Sequence, residues 1–230
     1  MTDNAPKIKA YQELFKIAQD GDFDHYCPGG GAHCLDPIRG SNLERQSALN
    51  ETLYNLANRK IPNTVWCPLT TESIEQERHI IQLTLAAGAN PNYAHYYSFY
   101  YYPETVFDAF MRNNKYHGAL EVAKTKGFTG PQNQEAFKIL EQGLRFYKYW
   151  GHPYPGETKI ESALYAQECH DQIELVSTLF SKKIYPYDPR ICQALLPIVE
   201  KKKQNKNSQQ NTKTPLQLFN ELMGKKGGRI

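Results

Sequence analysis

The chain has 230 residues, of which 40% are hydrophobic and 22% charged, the proportions of a folded protein and not of a disordered one. No run of eighteen apolar residues occurs and the start, MTDNAPKIKAYQE, lacks a secretory hydrophobic segment, so neither a membrane-spanning helix nor a signal peptide is expected. The net charge of +3, carried largely by lysines near the C-terminal end such as Lys201, Lys202, Lys203, Lys225 and Lys226, is too mild to argue for nucleic acid. Five cysteines, Cys27, Cys34, Cys67, Cys169 and Cys192, are an odd and scattered set, unlike a disulfide framework. Reduced thiols and a cytoplasmic location are the expectation.

In chain order, Lys7 to Gln19 predicts a helix with Tyr11, Leu14, Phe15 and Ala18 on one face, closed by Asp20-Gly21-Asp22. A glycine-rich loop, Cys27 to Arg39, follows. Ser41 or Asn42 can cap a second helix that carries Leu43, Leu49, Leu53 and Leu56 and stops near Asn58, ahead of Ile61-Pro62-Asn63. Thr70 or Thr71 caps a third, whose apolar stripe of Ile80, Ile81, Leu83 and Leu85 ends at Gly88, a glycine suited to a left-handed cap. The stretch Tyr93 to Tyr102, YAHYYSFYYY, has seven tyrosine and phenylalanine residues and no helical stripe, and is expected to be an extended finger or loop. Pro103 opens a helix over Glu104 to Asn113, and a partner helix runs from Tyr116 to Lys126 before Gly127.

Further on, Gln134 to Tyr149 reads as helix, with Phe137, Ile139, Leu140, Leu144 and Tyr147 apolar, and Trp150-Gly151-His152-Pro153 ends it. Glu161 to Glu168 and Gln172 to Ser181 predict a helical hairpin, and Arg190 to Lys203 a helix interrupted at Pro197. Residues 204–213 read as a mobile polar linker, and Thr214-Pro215-Leu216 starts a C-terminal cap and tail over 214–230. No strand-like alternation of useful length occurs. The expected fold class is all-α, a single helical domain over 1–230 with a repeat-like core at 40–200.

The stretch His79 to Asn92, HIIQLTLAAGANPN, resembles the second helix and following turn of an ankyrin repeat. Glu104-Thr105-Val106 through Gly127 and Ser162-Ala163-Leu164 through Lys183 are similar to further copies, with Lys183 where the glycine should stand. Thr214-Pro215-Leu216 matches a repeat opening, and LFKIAQDGD, Leu14 to Asp22, resembles a capping repeat. Gly88, Gly127 and Lys183 are separated by 39 and then 56 residues, against a family period of about 33. Membership in the ankyrin-repeat family implies a short, irregular α-solenoid of stacked helical hairpins, because one hairpin cannot bury its apolar face alone. It also implies a protein-interaction module without intrinsic catalysis, cofactor or small-molecule substrate, whose concave groove is lined by fingers and first helices. Such modules are common in eukaryotes and among effectors of bacteria that live inside host cells. The wealth of Asn, Lys, Gln and Tyr is compatible with an AT-rich genome of the second kind, and so with an effector secreted into a host cytosol.

Several constellations compete as sites. His25, Cys27, His33 and Cys34 surround three glycines and offer the donors that zinc prefers, so a small zinc-binding or thiol-dependent enzyme using the Cys27 to Cys34 loop, with Cys67, is the alternative function. Their spacing matches no standard finger. Cys169-His170-Asp171 has the residue types of a thiol protease, but consecutive residues on a helix point apart. Glu75 and Glu77, two apart on a helix, face different ways and do not make a carboxylate pair. The triple glycine lacks the lysine and hydroxyl residue of a phosphate loop.

The tyrosine block is the strongest candidate, since tyrosine and phenylalanine bury large area at low entropic cost and keep a polar tip. The partner-binding set is therefore Tyr93, His95, Tyr96, Tyr97, Phe99, Tyr100, Tyr101 and Tyr102, about half of the rings serving to seal the helix stack. Phe146, Tyr147, Tyr149 and Trp150 form a second aromatic group with a larger core share. The expected partner is a protein, with no membrane, metal or nucleic acid involved.

Overall fold

Caps placed by short side chains decide where the helices begin. The computed structural model describes residues 5–19, 41–58, 70–95, 103–150 and 159–208; the side chains of 18–19, 42, 145–150, 159–162 and 201–208 lie outside that description. It is mostly helical, in agreement with the expected class. The described residues hold helices α1 (Ala5–Gln19), α2 (Asn42–Asn58), α3 (Thr71–Ala87), α4 (Val106–Arg112), α5 (Tyr116–Lys124), α6 (Glu135–Trp150), α7 (Lys159–Ser181) and α8 (Pro189–Ser208). Two short strands, β1 (Ala94–His95) and β2 (Glu104–Thr105), stand between α3 and α4. At α2, Ser41 Oγ accepts from the Glu44 amide and the Ser41 amide donates to the Glu44 carboxylate, a reciprocal cap. Thr70 and Ser73 form the same box at α3.

Three helices stop in one way. Gly88 after α3 has φ 112°, and the amide of Ala89 reaches back to the carbonyl of Thr84. Asn114 after α4 (φ 55°) and Lys183 after α7 (φ 61°) are also left-handed, with Lys115 donating to Phe110 O and Ile184 to Leu179 O. At Gly88 the demand for glycine is the positive φ, since the nearest atoms to a Cβ there belong to the end of the exposed Lys7 side chain, which can move aside. Lys183 thus occupies a conformation that glycine adopts more readily.

The described chain gathers into two compact units, Met1–Thr129 and Gly130–Ile230. In the first, α2 packs on α3 and α4, α3 also packs on α1 and α5, and α4 packs on α5. Leu14, Leu53, Leu56, Ile81, Phe107, Phe110, Met111 and Leu120 are buried to within 1% and form its centre. In α5, Gly118 leaves room for the Phe110 ring, which a Cβ would approach to 2.3 Å. In the second unit α6, α7 and α8 all pack on one another around Phe137, Leu140, Leu179 and Leu195.

Several sequence expectations change. The helix expected from Glu104 starts at Val106, because Thr105 caps it by accepting from the Asp108 amide, while Glu104 and Thr105 pair with β1. The hairpin expected at Glu161–Ser181 is one continuous helix. Its polar middle is covered, with Asp171 3% and Gln172 1% exposed and Gln167 bonded to Asp171 one turn on, so no turn is needed to wet it. Helix α8 runs through Pro197, whose ring sits on an exposed face, and continues to Ser208 into the stretch read as linker. Leu43, placed on an apolar stripe, is 80% exposed in the first turn of α2. Residues 209–230, with the expected cap and tail, lie outside the described residues.

A lysine held at positive φ carries strain that glycine does not, offset in part by the greater entropy glycine loses on folding. Lys183→Gly is expected to stabilise the protein by about 1 kcal/mol, measured by equilibrium denaturant unfolding; an unchanged or lowered midpoint would show that the left-handed cap is unstrained.

Candidate interaction surface at the root of the aromatic segment

Residues Glu51, Tyr54 and Asn58 recur at helical spacing and so share one face of α2. The short ladder is laid against this face. Ala94 pairs with Thr105 and His95 with Glu104, antiparallel, and the amide of Val106 donates to Tyr93 O at 2.9 Å. The ladder therefore fixes both ends of the segment between His95 and Glu104.

Side chains brace it from two helices. Tyr93 donates its hydroxyl hydrogen to Glu51 Oε1, and His95 Nδ1 lies 3.5 Å from Glu51 Oε2. The His95 ring stacks on Tyr54, centroids 4.6 Å apart and planes within 13°. Tyr54 in turn donates to Glu104 Oε2 at 2.9 Å. Arg112 of α4 forks onto the same carboxylate, Nε to Oε1 at 2.7 Å and a terminal nitrogen to Oε2 at 3.0 Å, and reaches Asn58 Oδ1 at 2.7 Å. A bidentate guanidinium fixes direction as well as distance. Partial burial, and then the hydrogen bond and negative charge of Glu51, push the Tyr93 phenol up to about 12, so it remains a donor at any physiological pH.

Beneath this face lies a buried charge cluster. Lys115 Nζ donates to Leu56 O and to Glu77 Oε1, each at 2.6 Å, and His117 Nε2 lies 3.5 Å from Glu77 Oε2, all three side chains 6–7% exposed. Burial raises the Glu77 carboxyl, but the adjacent His117 side chain and the charges of Lys115 and His117 outweigh it, leaving Glu77 below its ordinary range. Alongside, Arg78 and Gln82 of α3 both donate to Glu121 of α5, at 3.2 and 3.0 Å. These groups are enclosed, and all but His117, which stands beside Glu77 without a hydrogen bond from Nε2, are bonded across helices, an arrangement suited to fastening them.

Of the partner-binding residues expected from sequence, Tyr93 and His95 stand at this root, while Tyr96, Tyr97, Phe99, Tyr100, Tyr101 and Tyr102 lie outside the described residues. So do the Cys27 to Cys34 loop with His25 and His33, and Cys67. Among the described residues no group of three or more His, Cys, Asp or Glu is placed to hold a metal ion. Phe146, Tyr147, Tyr149 and Trp150 follow the α6 backbone, with side chains outside the description.

Cys169 is 0% exposed, and burial, then the negative charge of Glu168, push its thiol up to about 12, the reverse of an activated nucleophile. Glu75 is exposed and pairs with Arg78 at 3.2 Å while Glu77 is buried, so the two do face apart. Glu51, Tyr54, Asn58, Glu104 and Arg112 were missed from sequence, although the spacing of the first three was a signal for a polar stripe on an otherwise apolar helix. No family model, no curated protein and no solved structure matches the chain. No helix among the described residues is long and apolar enough to cross a membrane.

Removing the buried Lys115 ammonium strands Glu77 and Leu56 O. Lys115→Met is expected to destabilise by about 3–5 kcal/mol in denaturant unfolding at pH 7, and a loss under 1 kcal/mol would show the pair to be dispensable. Because the folded protein holds Glu77 below its unfolded value, its ionised form stabilises; that contribution is complete above the ordinary glutamate range and is lost as pH falls through the folded value. Unfolding free energy measured from pH 6 to pH 3 should accordingly fall more steeply in wild type than in Glu77→Gln, and parallel curves would contradict the assignment.

Proposed function

We propose that the chain is a protein-interaction module, built in its first unit on degenerate ankyrin-like hairpins, that binds a partner protein through the tyrosine-rich segment between β1 and β2. The observation that carries this reading is the braced root: α2 and α4, the first helices of two adjacent hairpins, supply Glu51, Tyr54, Asn58 and Arg112 to hold the two ends of that segment. Fixing the ends before a partner arrives lowers the ordering cost of association. Aromatic side chains there supply contact area with few rotatable bonds.

The layered reading has further support in the turn chemistry. Asn92, the last residue of the GANPN turn, donates to Gly127 O at 2.7 Å and accepts from the Thr129 amide at 2.9 Å, joining the stops of consecutive hairpins. Asn50 of α2 accepts from the Asn90 amide at 2.8 Å, and Gln46 donates to Gly88 O at 2.7 Å. Thr105 opens α4 where the repeat pattern has its threonine. The continuous helix α7 removes the copy aligned over Ser162 to Lys183, which confines the repeat reading to the first unit. The partner we propose is a protein of the compartment in which the chain works, the cytosol of its own cell or, for a secreted effector, of a host.

The test is affinity capture from cell lysate with wild type beside a variant in which Tyr96, Tyr97, Tyr100 and Tyr101 are alanine, both first confirmed folded by circular dichroism. Wild type should recover a discrete set of proteins that the variant recovers at least tenfold less. Equal recovery by both would sink the reading.

A further inference from the structure

The turn between α7 and α8, residues 182–188, is held tightly yet presents its aromatic side chains to solvent. Its backbone is anchored at four points. Lys183 closes α7 in the left-handed conformation, Ile184 donates to Leu179 O at 2.9 Å, Pro186 is buried, and the Tyr187 amide donates to Oε1 of Gln134, the residue before α6, at 2.9 Å. From this frame Tyr187 projects 86% exposed, and Tyr185, edge-on to Phe180 at 5.1 Å, is 47% exposed. Apolar rings usually gain by burial, so a fixed turn that displays two of them has the form of a binding anchor.

The charge around the rings is positive on balance, because Lys182 and Lys183 stand beside an Asp188–Arg190 pair that is neutral in itself. Lys183 is exposed, and the Arg190 side chain is 89% exposed. The one carboxylate in the turn, Asp188, is occupied: it accepts from the Arg190 amide at 2.9 Å and from two guanidinium nitrogens at 3.2 and 3.0 Å. Arg190 bonds it through Nε and one terminal nitrogen and, with five N–H donors, has capacity left. Lys183 adds a second indication. A lysine stands at positive φ, where glycine fits without strain, and strain kept at an exposed position points to use of the side chain.

We propose that this turn is a second interaction surface, distinct from the aromatic root, which takes an acidic segment of a protein: Tyr187 and Tyr185 pack on its apolar side chains, Lys183 pairs with its carboxylates, and Arg190 adds the N–H donors that Asp188 does not use. Aromatic anchors flanked by cations complement a chain that alternates acidic and apolar residues, since alternate side chains of an extended peptide point to opposite sides.

The experiment uses the full chain and a fluorescein-labelled peptide of alternating aspartate and leucine, read by anisotropy. The matching lysine–leucine peptide and an oligothymidine serve as controls, with amide shifts in ¹⁵N spectra locating the contact. Saturable binding of the acidic peptide is expected, with shifts centred on 182–190. Tyr187→Ala should weaken it about tenfold, a difference of about 1.4 kcal/mol. Tyr165→Ala, at an exposed ring near the far end of α7, should leave it unchanged. Lys183→Gly should weaken binding at least threefold while raising the thermal midpoint, a combination that loss of structure cannot produce. The proposal is overturned by absence of saturable binding, by binding that Tyr187→Ala leaves intact, as contact with the C-terminal lysines would be, or by oligothymidine binding more tightly than the peptide at the same residues.

Discussion

One buried ammonium fixes the frame of the first unit. Lys115 sits in the turn between α4 and α5 and is only 6% exposed, so its donors must be met largely by protein. They are met by the carbonyl of Leu56 in the last turns of α2 and by Glu77 in the middle of α3. A hydrophobic core alone tolerates small slides of one helix on another. A buried cation with two specified acceptors does not, because a shift of an ångström or two leaves a charge unpaired in a medium of low dielectric.

The position of α2 matters for the ladder as well as for stability. The same helix carries Glu51, Tyr54 and Asn58 to the ladder, so the register that Lys115 sets at its C-terminal end is also the register in which Tyr93, His95, Glu104 and Arg112 find their partners. Arg112 completes the circuit. It belongs to α4, two residues before the left-handed Asn114 that turns the chain toward Lys115, and it holds the carboxylate of β2. Core, cap and surface network thus share residues over a short stretch of chain.

What could be read from the sequence follows the range of each interaction. Ser41, Thr70 and Gly88 were legible because a cap is decided within four or five residues. The helix over residues 159–181 was misread as two because Gln167 to Gln172 are polar, a local sign of a turn that tertiary burial of Asp171 and Gln172 overrides. Leu43 shows the converse, an apolar residue that periodicity assigns inward and the first turn of α2 leaves outside. At the site, Tyr93 and His95 stood out by composition. The residues around them did not, since the bonds of Glu51 to Tyr93, Tyr54 to Glu104 and Asn58 to Arg112 span 42 to 54 residues of chain, and a polar stripe on α2 does not say what it will meet.

The ladder of two residue pairs has a meaning for how such a surface could change over time. Ala94 with Thr105 and His95 with Glu104 close a loop whose ends meet whatever lies between them. Closing a loop twice as long adds only about 0.6 kcal/mol of entropy. The two pairs can thus be kept by chains whose intervening stretch differs in length, at small cost in closure entropy, which makes the span between His95 and Glu104 a place where sequence length can vary while the ladder stays in register.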